Sequence, residues 1–138
     1  MAALTSTRID LSVARALVEA PDGRVLLVRR ASWDTLPGLW ELPGGKVHAG
    51  EDDVAALVRE CREELGVTVR VGTRVGADLE IGASLLLRVW WARLLDGTPQ
   101  PLEHTQLRWL SLDALDDVAW LPSDGPVMAA VRAEWPDT

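Results

Sequence analysis

Two runs of apolar and β-branched residues, 9–18 and 24–28, begin the hydrophobic pattern of the chain. A Pro-Asp-Gly sequence at 21–23 separates them, and these residue types favour tight turns. The pattern predicts two β-strands joined by a short connection. The next stretch, 31–46, is rich in Pro and Gly, so we expect a loop there, with at most a short strand near 40–42.

An amphipathic helix is predicted over residues 52–65. Gly66 follows it in the position where helices commonly end. Apolar side chains recur in the segment at the spacing of one helical face, and they are Val54, Leu57, Val58, Cys61 and Leu65.

Further strands are expected at 67–75, 85–95 and 107–110, where apolar and β-branched residues recur. A second helix is expected at about 127–135, and a short one at 112–115. No repeat, linker or low-complexity tract interrupts this pattern.

The composition is that of an ordinary globular protein. A length of 138 residues fits one domain spanning 1–138. Apolar residues make up 48% and charged residues 25%, which argues against a disordered or fibrous chain. No stretch approaches the roughly 18 apolar residues of a membrane span and no secretion signal is evident, so we expect a cytoplasmic protein. The net charge of −7 argues against a nucleic-acid polymer as partner.

Three carboxylates, Glu60, Glu63 and Glu64, stand at positions i, i+3 and i+4 of the predicted helix. Such side chains share one face beside the apolar stripe, where like charges repel by about 0.2 to 0.5 kcal/mol per pair. A solvated acidic surface is one explanation. A divalent cation site is the other, because Mg²⁺ prefers a few carboxylate oxygens together with substrate phosphate.

The run 45–67, GKVHAGEDDVAALVRECREELGV, favours the second explanation. It reads Gly, five residues, Glu, seven residues, Arg-Glu, one apolar residue, any residue, Glu-Glu, any residue, Gly and an apolar residue. The pattern resembles the signature of the Nudix hydrolase family at every specified position. Chance agreement at a given start is on the order of 10⁻⁹ with average residue frequencies.

The resemblance implies an α/β/α sandwich with a mixed sheet, in which the signature forms a loop, a helix and a loop. It also implies that Glu60, Glu63 and Glu64 hold Mg²⁺, with Mn²⁺ as a substitute, and that a metal-activated water attacks phosphorus. Metal ions suit this step because they lower the pKa of bound water and neutralise charge on phosphoryl oxygens.

The spacing also has a physical logic of its own. Glycines at positions 44 and 45 allow the backbone to approach a metal or phosphate closely, and a carbonyl there could complete the metal shell. Gly44 is therefore a candidate metal ligand. Arg59 lies beside the acidic cluster and can pair with Glu51 across the loop in a charge-assisted contact. We expect this pair to support the catalytic acids structurally.

Outside the signature the chain resembles the MutT-type branch of the family. The segments that carry this resemblance are VLLVRR, LPGLWELPGGK, LEHTQLRWLSLDAL and WLPSDGPV. The branch hydrolyses nucleoside triphosphates to the monophosphate and pyrophosphate, and the resemblance implies the same reaction here.

Four positions gain a candidate role from this branch. Glu103 matches a fourth acidic group near the metals, and Glu60 matches a candidate general base. Arg30 matches a position that contacts phosphate, and Lys46 could reach the same oxygens. Both cations are also explained as solvated surface charges.

Asp124 has two explanations. MutT-type enzymes carry a polar residue here that reads the edge of the base, and an ionised Asp would accept hydrogen bonds from the amino groups of cytosine or guanine. The alternative is a helix cap, because Asp-Gly-Pro precedes an apolar run.

Three other residues have structural explanations. His48 and His104 lack a second His or Cys at metal-ligand spacing, so we expect both to be exposed. Cys61 is expected in the core.

We therefore predict a Nudix hydrolase that acts on a small nucleotide, as a monomer or homodimer, without a nucleic-acid polymer or a membrane as partner. One alternative is a Nudix enzyme for a nucleoside diphosphate derivative such as ADP-ribose. Another is a Nudix-like ligand sensor without catalytic activity, which the intact signature acids disfavour.

Overall fold

The computed structural model describes residues 11–31, 34–82 and 84–135. A 3-10 helix, Leu112–Asp117, lies between the last strand and the last helix. The strands and α-helices are, in chain order, β1 (Leu11–Glu19), β2 (Val25–Arg29), β3 (Trp40–Glu41), β4 (Gly44–Lys46), α1 (Asp53–Leu65), β5 (Thr68–Ile81), β6 (Leu85–Asp96), β7 (Gln106–Leu110) and α2 (Val127–Glu134).

The strands form one mixed sheet. Its main path runs β3-β2-β1-β6-β5, with β7 paired to β2 and β4 paired to β1. Strands β1 and β6 are parallel over nine pairs from Leu11↔Leu85 to Glu19↔Arg93, and the other strand pairs are antiparallel. The central strand β1 is largely buried because both faces of the sheet are covered.

The segment 40–46 crosses from one strand to another. β1 and β2 pair only where their hairpin closes, at Glu19↔Val25. The gap between them is filled by β3, which pairs with β2, and then by β4, which pairs with β1. The short strand near 40–42 is confirmed. The expectation of a loop at 44–46 was wrong, because two glycines and a lysine complete the hydrogen bonds of β1.

Two cores lie on opposite faces of the sheet. On one face, Ala14, Ala16 and Val18 of β1 pack with Leu57 and Cys61 of α1. On the other face, Val13 and Leu17 of β1 pack with residues of the 3-10 helix and of α2. These residues include Leu115, Val127 and Val131. The sheet is therefore sandwiched between helices, as the α/β/α prediction required, and Cys61 is a core residue as expected.

Helix α1 has clear ends. The Asp52 side chain accepts a hydrogen bond from Ala55 N at 2.8 Å at its start, and Gly66 ends it in the left-handed conformation at φ 70°. The predicted apolar stripe was partly wrong, because Val54 is 40% exposed while Asp53 and Glu64 are buried. The helix is rotated toward these two acids because each finds hydrogen-bond donors inside the fold.

The remaining elements agree with the sequence pattern in type. β5 is longer than predicted and contains register shifts, β6 and β7 differ from expectation by a residue, and the short helix at 112–115 is a 3-10 helix. Residues 9 and 10 of the predicted first strand lie outside the described residues. Among the described helices, none combines the length and apolar character needed to cross a membrane.

We predict that Gly44→Ala strongly destabilises the protein. Gly44 has φ +140°, and an added Cβ would lie 2.2 Å from Ala14 O, a backbone atom that cannot move without breaking the β1–β4 pairing. The expected loss is about 2 to 4 kcal/mol of unfolding free energy, measured by denaturant titration.

The matched control is Gly125→Ala. The atoms nearest to its added Cβ lie 3.9 Å away. We expect a change within about 1 kcal/mol. Equal losses in the two variants would contradict the steric argument.

Candidate active site

An open cleft of about 460 Å³ lies where α1 faces β4 and the crossing segment. It contains most of the candidate site residues proposed from the sequence. Its lining includes Arg30, Gly44, Gly45, Lys46, Arg59, Glu60, Glu63, Glu64 and Glu103, together with Arg15, Glu41 and His104.

Glu60 lies directly against the backbone of Gly45. A Cβ built on Gly45 would come within 1.7 Å of Glu60 Oε2, so any larger residue would displace this carboxylate. The glycine thus makes room for an acid, where the sequence analysis expected room for a metal or phosphate. The result is a carboxylate oxygen held at the strand, inside the cleft.

Glu64 points into the protein from the next turn of α1. It is 6% exposed, and its Oε1 accepts a hydrogen bond from Gly44 N at 3.3 Å. Burial raises the pKa of Glu64 well above its usual value, and the charge of Arg15 opposes this rise. The Gly44 carbonyl, a candidate metal ligand, accepts a hydrogen bond from Arg15 Nη1 at 3.3 Å, so one of its lone pairs is engaged.

The charge state of Glu60 is set by its surroundings. Burial raises the pKa of Glu60 to about 7, the Arg59 guanidinium opposes this rise, and the carboxylates of Glu63 and Glu103 add to it. An acid with a pKa near neutrality in a cleft is a frequent feature of catalytic sites.

Arg59 ties the loop of the signature to its helix. Its Nε and Nη2 donate to the two carboxylate oxygens of Glu51 at 2.8 and 3.0 Å, and Nη2 also donates to the Lys46 carbonyl at 3.0 Å. The hydrogen bond from Arg59 lowers the pKa of Glu51 to about 2. This bidentate pair is the contact expected from the sequence, and the Nη1 atom of Arg59 also lies 3.4 Å from Glu60 Oε1.

Glu103 reaches the cleft on a loop that covers the end of α1. Gln100 N donates to Leu65 O at 3.1 Å, and Leu102 N donates to Glu64 O at 3.0 Å. These bonds satisfy carbonyls that the helix itself leaves free. The next residue is Glu103, which is consequently placed on the same side of the helix as Glu60.

The donor set suits a hard divalent cation, since carboxylate oxygens dominate it. Within the described part of the chain, however, no three His, Cys, Asp or Glu side chains already converge on one point. Glu63 is half exposed, and its Oε1 accepts from Arg59 Nη1 at 3.3 Å. A cation bound by all three helix acids would therefore draw Glu63 away from Arg59.

A buried carboxylate that the sequence analysis missed, Glu41, lies at the floor of the cleft. It accepts hydrogen bonds from Arg15 at 3.2 Å, Arg30 at 3.0 Å and His104 at 2.9 Å. Burial alone would raise the pKa of Glu41, but the bond from His104 and the two arginine charges lower it. The Trp-Glu step within LPGLWELPGGK was the available signal.

The cleft floor corrects two expectations. The His104 side chain is only 7% exposed, so its expected exposure was wrong, whereas His48 is exposed as expected. The Arg30 guanidinium lines the cleft, but it donates to Glu41, Asp34 and Thr35. It is therefore held by the protein and is not a solvated surface charge. Lys46 is exposed at the cleft.

Asp124 fits neither of its two explanations. Helix α2 begins after Pro126, and no side-chain capping bond is present there. Asp124 is 0% exposed, and its Oδ2 accepts from Leu42 N at 2.7 Å. A fully buried carboxylate already bonded to the backbone is not presented to a base in this structure. Its hydrogen bond with Leu42 N supports the segment 40–46 from inside the protein.

The family model described as "NUDIX domain" matches residues 11–131, which is most of the chain. The chain belongs to the Nudix family. Similar proteins support its place in the MutT-type branch. These relatives are named diphosphatases and pyrophosphohydrolases, so the chain is a Nudix hydrolase.

Two relatives illustrate the similarity. A Mycobacterium tuberculosis protein with the provisional name 8-oxo-dGTP diphosphatase 2 is 46% identical over 103 residues, covering 72% of this chain and 73% of the relative. The CTP pyrophosphohydrolase of Escherichia coli is 37% identical over 125 residues, covering 89% and 92%.

Solved structures show the same fold. The MutT protein of Methanosarcina mazei superposes with a TM-score of 0.78 at 25% identity, covering 94% of this hydrolase and 98% of that chain. The E. coli ORF135 protein superposes with a TM-score of 0.73 at 35% identity, covering 93% and 94%.

The charge of Glu60 predicts a pH-dependent stability for the metal-free hydrolase. Because the pKa of Glu60 is about 7 in the folded state and 4.5 ordinarily, its protonation favours folding. This contribution is complete below the ordinary pKa and is lost as the pH rises through the folded-state pKa. We expect the Tm to fall by roughly 5 °C between about pH 5 and pH 8.

The comparison is with Glu60→Gln, which should remove the share of this slope that belongs to Glu60, because glutamine does not titrate. Glu64, whose pKa is also raised by burial, titrates in the same sense and keeps its own share. Glu51 titrates in the opposite sense and at lower pH, so it does not interfere. Calorimetry in the presence of a chelator measures both proteins. A variant that keeps the full slope would show that Glu60 is not the group responsible.

Proposed function

We propose that this Nudix hydrolase cleaves nucleoside triphosphates to the nucleoside monophosphate and pyrophosphate, with Mg²⁺ as the cofactor and Mn²⁺ as a working substitute. The observation that carries the proposal is the placement of Glu60 and Glu64 against the Gly44–Gly45 backbone, inside a cleft that also contains Arg30 and Lys46. We further propose that one domain suffices and that it acts on free nucleotides in the cytoplasm.

The helix acids share one proposed task, and Glu60 has a second one. Glu60, Glu63 and Glu64 would hold the cation, with Glu103 as a fourth carboxylate in the same cleft. Bound there, Mg²⁺ would lower the pKa of a water molecule and neutralise charge on the phosphate oxygens. Glu60 is also our choice of proton acceptor, because its carboxylate lines the cleft and lies against the Gly45 backbone.

The remaining residues either keep these acids in position or are proposed to contact phosphate. Arg59 and Glu51 hold the signature loop against α1, so that the acids of the helix stay beside Gly44 and Gly45. Lys46 is exposed at the cleft and is proposed to contact phosphate oxygens. Arg30 would have to exchange a contact with Asp34 or Thr35 to reach the same oxygens.

The substrate class follows the relatives. CTP is named for one and 8-oxo-dGTP for another, and both are nucleoside triphosphates. A structural neighbour from Streptococcus suis is titled an ADP-ribose pyrophosphatase, with a TM-score of 0.72 at 26% identity, covering 93% of this chain and 94% of that one. ADP-ribose is therefore the second candidate substrate.

A release assay across a panel of nucleotides tests the reaction. The panel holds the natural triphosphates, their oxidised and methylated forms, and ADP-ribose, each with Mg²⁺ and with excess chelator. We expect pyrophosphate from a triphosphate, no product in chelator, and ¹⁸O from labelled water in one of the two products. A nucleoside diphosphate and orthophosphate as products, or turnover that survives chelation, would refute the proposal.

We predict that Glu63→Gln lowers kcat by about 100-fold or more, in line with the usual cost of losing a metal ligand. Glutamine keeps a carbonyl oxygen for Arg59, and the lost charge relieves repulsion within α1, so we expect the Tm to change by less than about 2 °C. Steady-state kinetics at saturating Mg²⁺ and thermal denaturation measure the two effects.

Glu134→Gln is the matched control, because Glu134 is an exposed helical glutamate on α2. It should leave kcat within about twofold. Near-normal turnover in Glu63→Gln would remove Glu63 from the proposed ligand set.

A further inference from the structure

The first residue of α1, Asp53, is buried although it stands at a helix end that could face solvent. Its two carboxylate oxygens accept from Arg88 Nε at 2.6 Å and from Arg88 Nη2 at 2.7 Å. The indole Nε1 of Trp90 donates to the same carboxylate at 2.9 Å. Three donors in fixed directions hold the start of the helix to strand β6. We call Asp53, Arg88 and Trp90 the helix anchor.

The anchor is not explained by the family signature, which leaves position 53 unspecified. Burying a carboxylate costs free energy unless charged donors replace its water. Here a bidentate guanidinium replaces it, and this bond lowers the pKa of Asp53. The neighbouring Arg74 stacks over the Trp90 ring at 5.6 Å and pairs with Asp78. Arg74 and the three anchor residues line an open cavity of about 680 Å³.

Strand register connects the anchor to the acidic cluster. Arg88 of β6 pairs with Ala14 of β1, and Ala14 pairs in turn with Gly45 of β4. Paired residues in neighbouring strands point to the same face of a sheet. Arg88 at one end of this row contacts Asp53, and Gly45 at the other end contacts Glu60.

The dimensions of the helix and of the row agree. Seven residues separate Asp53 from Glu60, which is about 10.5 Å along an α-helix. Two strand spacings separate Arg88 from Gly45, which is about 9.6 Å. Helix α1 therefore spans the distance from the Asp53–Arg88 contact to the Glu60–Gly45 contact. A shift of its first turn relative to β6 would shift Glu60 relative to Gly45.

We propose that Asp53, Arg88 and Trp90 are positioning residues for catalysis, which set the depth and rotation of α1 so that its acids form a cation site against the glycine pair. This inference rests on the proposed function, since it takes Glu60, Glu63 and Glu64 as the acids that hold the cation. None of the three anchor residues lines the cleft that contains these acids.

Direct Mn²⁺ binding to the full chain, measured by calorimetry without nucleotide, tests the anchor. The variants are Asp53→Ala, Arg88→Ala and Trp90→Phe, the last of which removes one N–H donor and keeps an aromatic ring. We expect Mn²⁺ affinity to fall about tenfold in the first two, at the lower end of the range for residues that orient metal ligands. In the third, which keeps the Asp53–Arg88 pair, we expect a smaller fall of about threefold. The Mg²⁺ concentration for half-maximal activity should rise in parallel.

The signs of these effects separate positioning from simple electrostatics. Removing the negative charge of Asp53 would weaken cation binding through charge alone, whereas removing the positive charge of Arg88 would strengthen it. A loss in both variants supports positioning, and opposite shifts overturn it. The double variant should lose about as much as each single one, because the two residues act as one unit. Additive losses would also overturn the proposal.

Val131→Ala controls for stability. Val131 is a fully buried residue of α2 on the opposite face of the sheet, so its truncation lowers Tm without touching the anchor. At a matched loss of Tm it should bind Mn²⁺ as the parent does, and equal weakening would reduce the anchor to a structural element. If Asp53→Ala does not fold, Trp90→Phe and Arg88→Lys decide the question. Absence of Mn²⁺ binding and hydrolysis in the parent would instead refute the proposed function.

Discussion

The contact between the acidic face of α1 and the backbone of β4 is the constraint on which the site depends. Gly45 and Glu60 lie so close that a single added methyl group would overlap the carboxylate, and Gly44 N donates to Glu64. These two contacts place the carboxylates of Glu60 and Glu64 at β4, so the depth and rotation of the helix decide where its acids lie. Three further features hold α1 in this position. They are the segment 40–46, the bond between Arg59 and Glu51, and the loop before Glu103.

Concentrating carboxylates against a strand carries an electrostatic cost. Burial and mutual repulsion raise the pKa of Glu60 and of Glu64, which means that the folded protein resists full ionisation of its own cluster. Arg59 and Arg15 offset part of this cost from opposite sides. A bound cation would relieve the rest, so metal affinity and stability of the site are linked.

Local patterns in the sequence were sufficient for the elements with strong periodicity or turn residues. The hairpin around 21–23 and helix α1 with its glycine stop are examples, and the signature was sufficient to bring Glu51 together with Arg59. Strand β4 was missed because its glycines resemble a loop until β1 is seen to pair with them.

Other features depend on long-range partners that no local pattern shows. The exposed side of α1 was misjudged because Asp53 is buried by Arg88, which lies 35 positions later in the sequence. His104 is buried by Glu41, and Asp124 by Leu42, across 63 and 82 positions respectively. Polar residues are predicted to be exposed by default, and only the tertiary fold supplies the donors that make their burial possible.

The charges of the cleft constrain how the proposed triphosphate substrate can bind. The described lining contains six carboxylate side chains, Asp34, Glu41, Glu60, Glu63, Glu64 and Glu103, against four cationic ones, Arg15, Arg30, Lys46 and Arg59.

Three of those four cations are already paired with protein carboxylates. The fourth, Lys46, is exposed and forms no ion pair with another described residue. When all six carboxylates are ionised, a polyanion would meet a surface of its own sign, which costs free energy at these short distances. Cations between the acids and the phosphates remove this repulsion, and the same acids that repel the substrate alone then become the groups that bind it. The charge balance of the cleft therefore supports the proposed use of a divalent cation, in addition to the geometry of the helix acids.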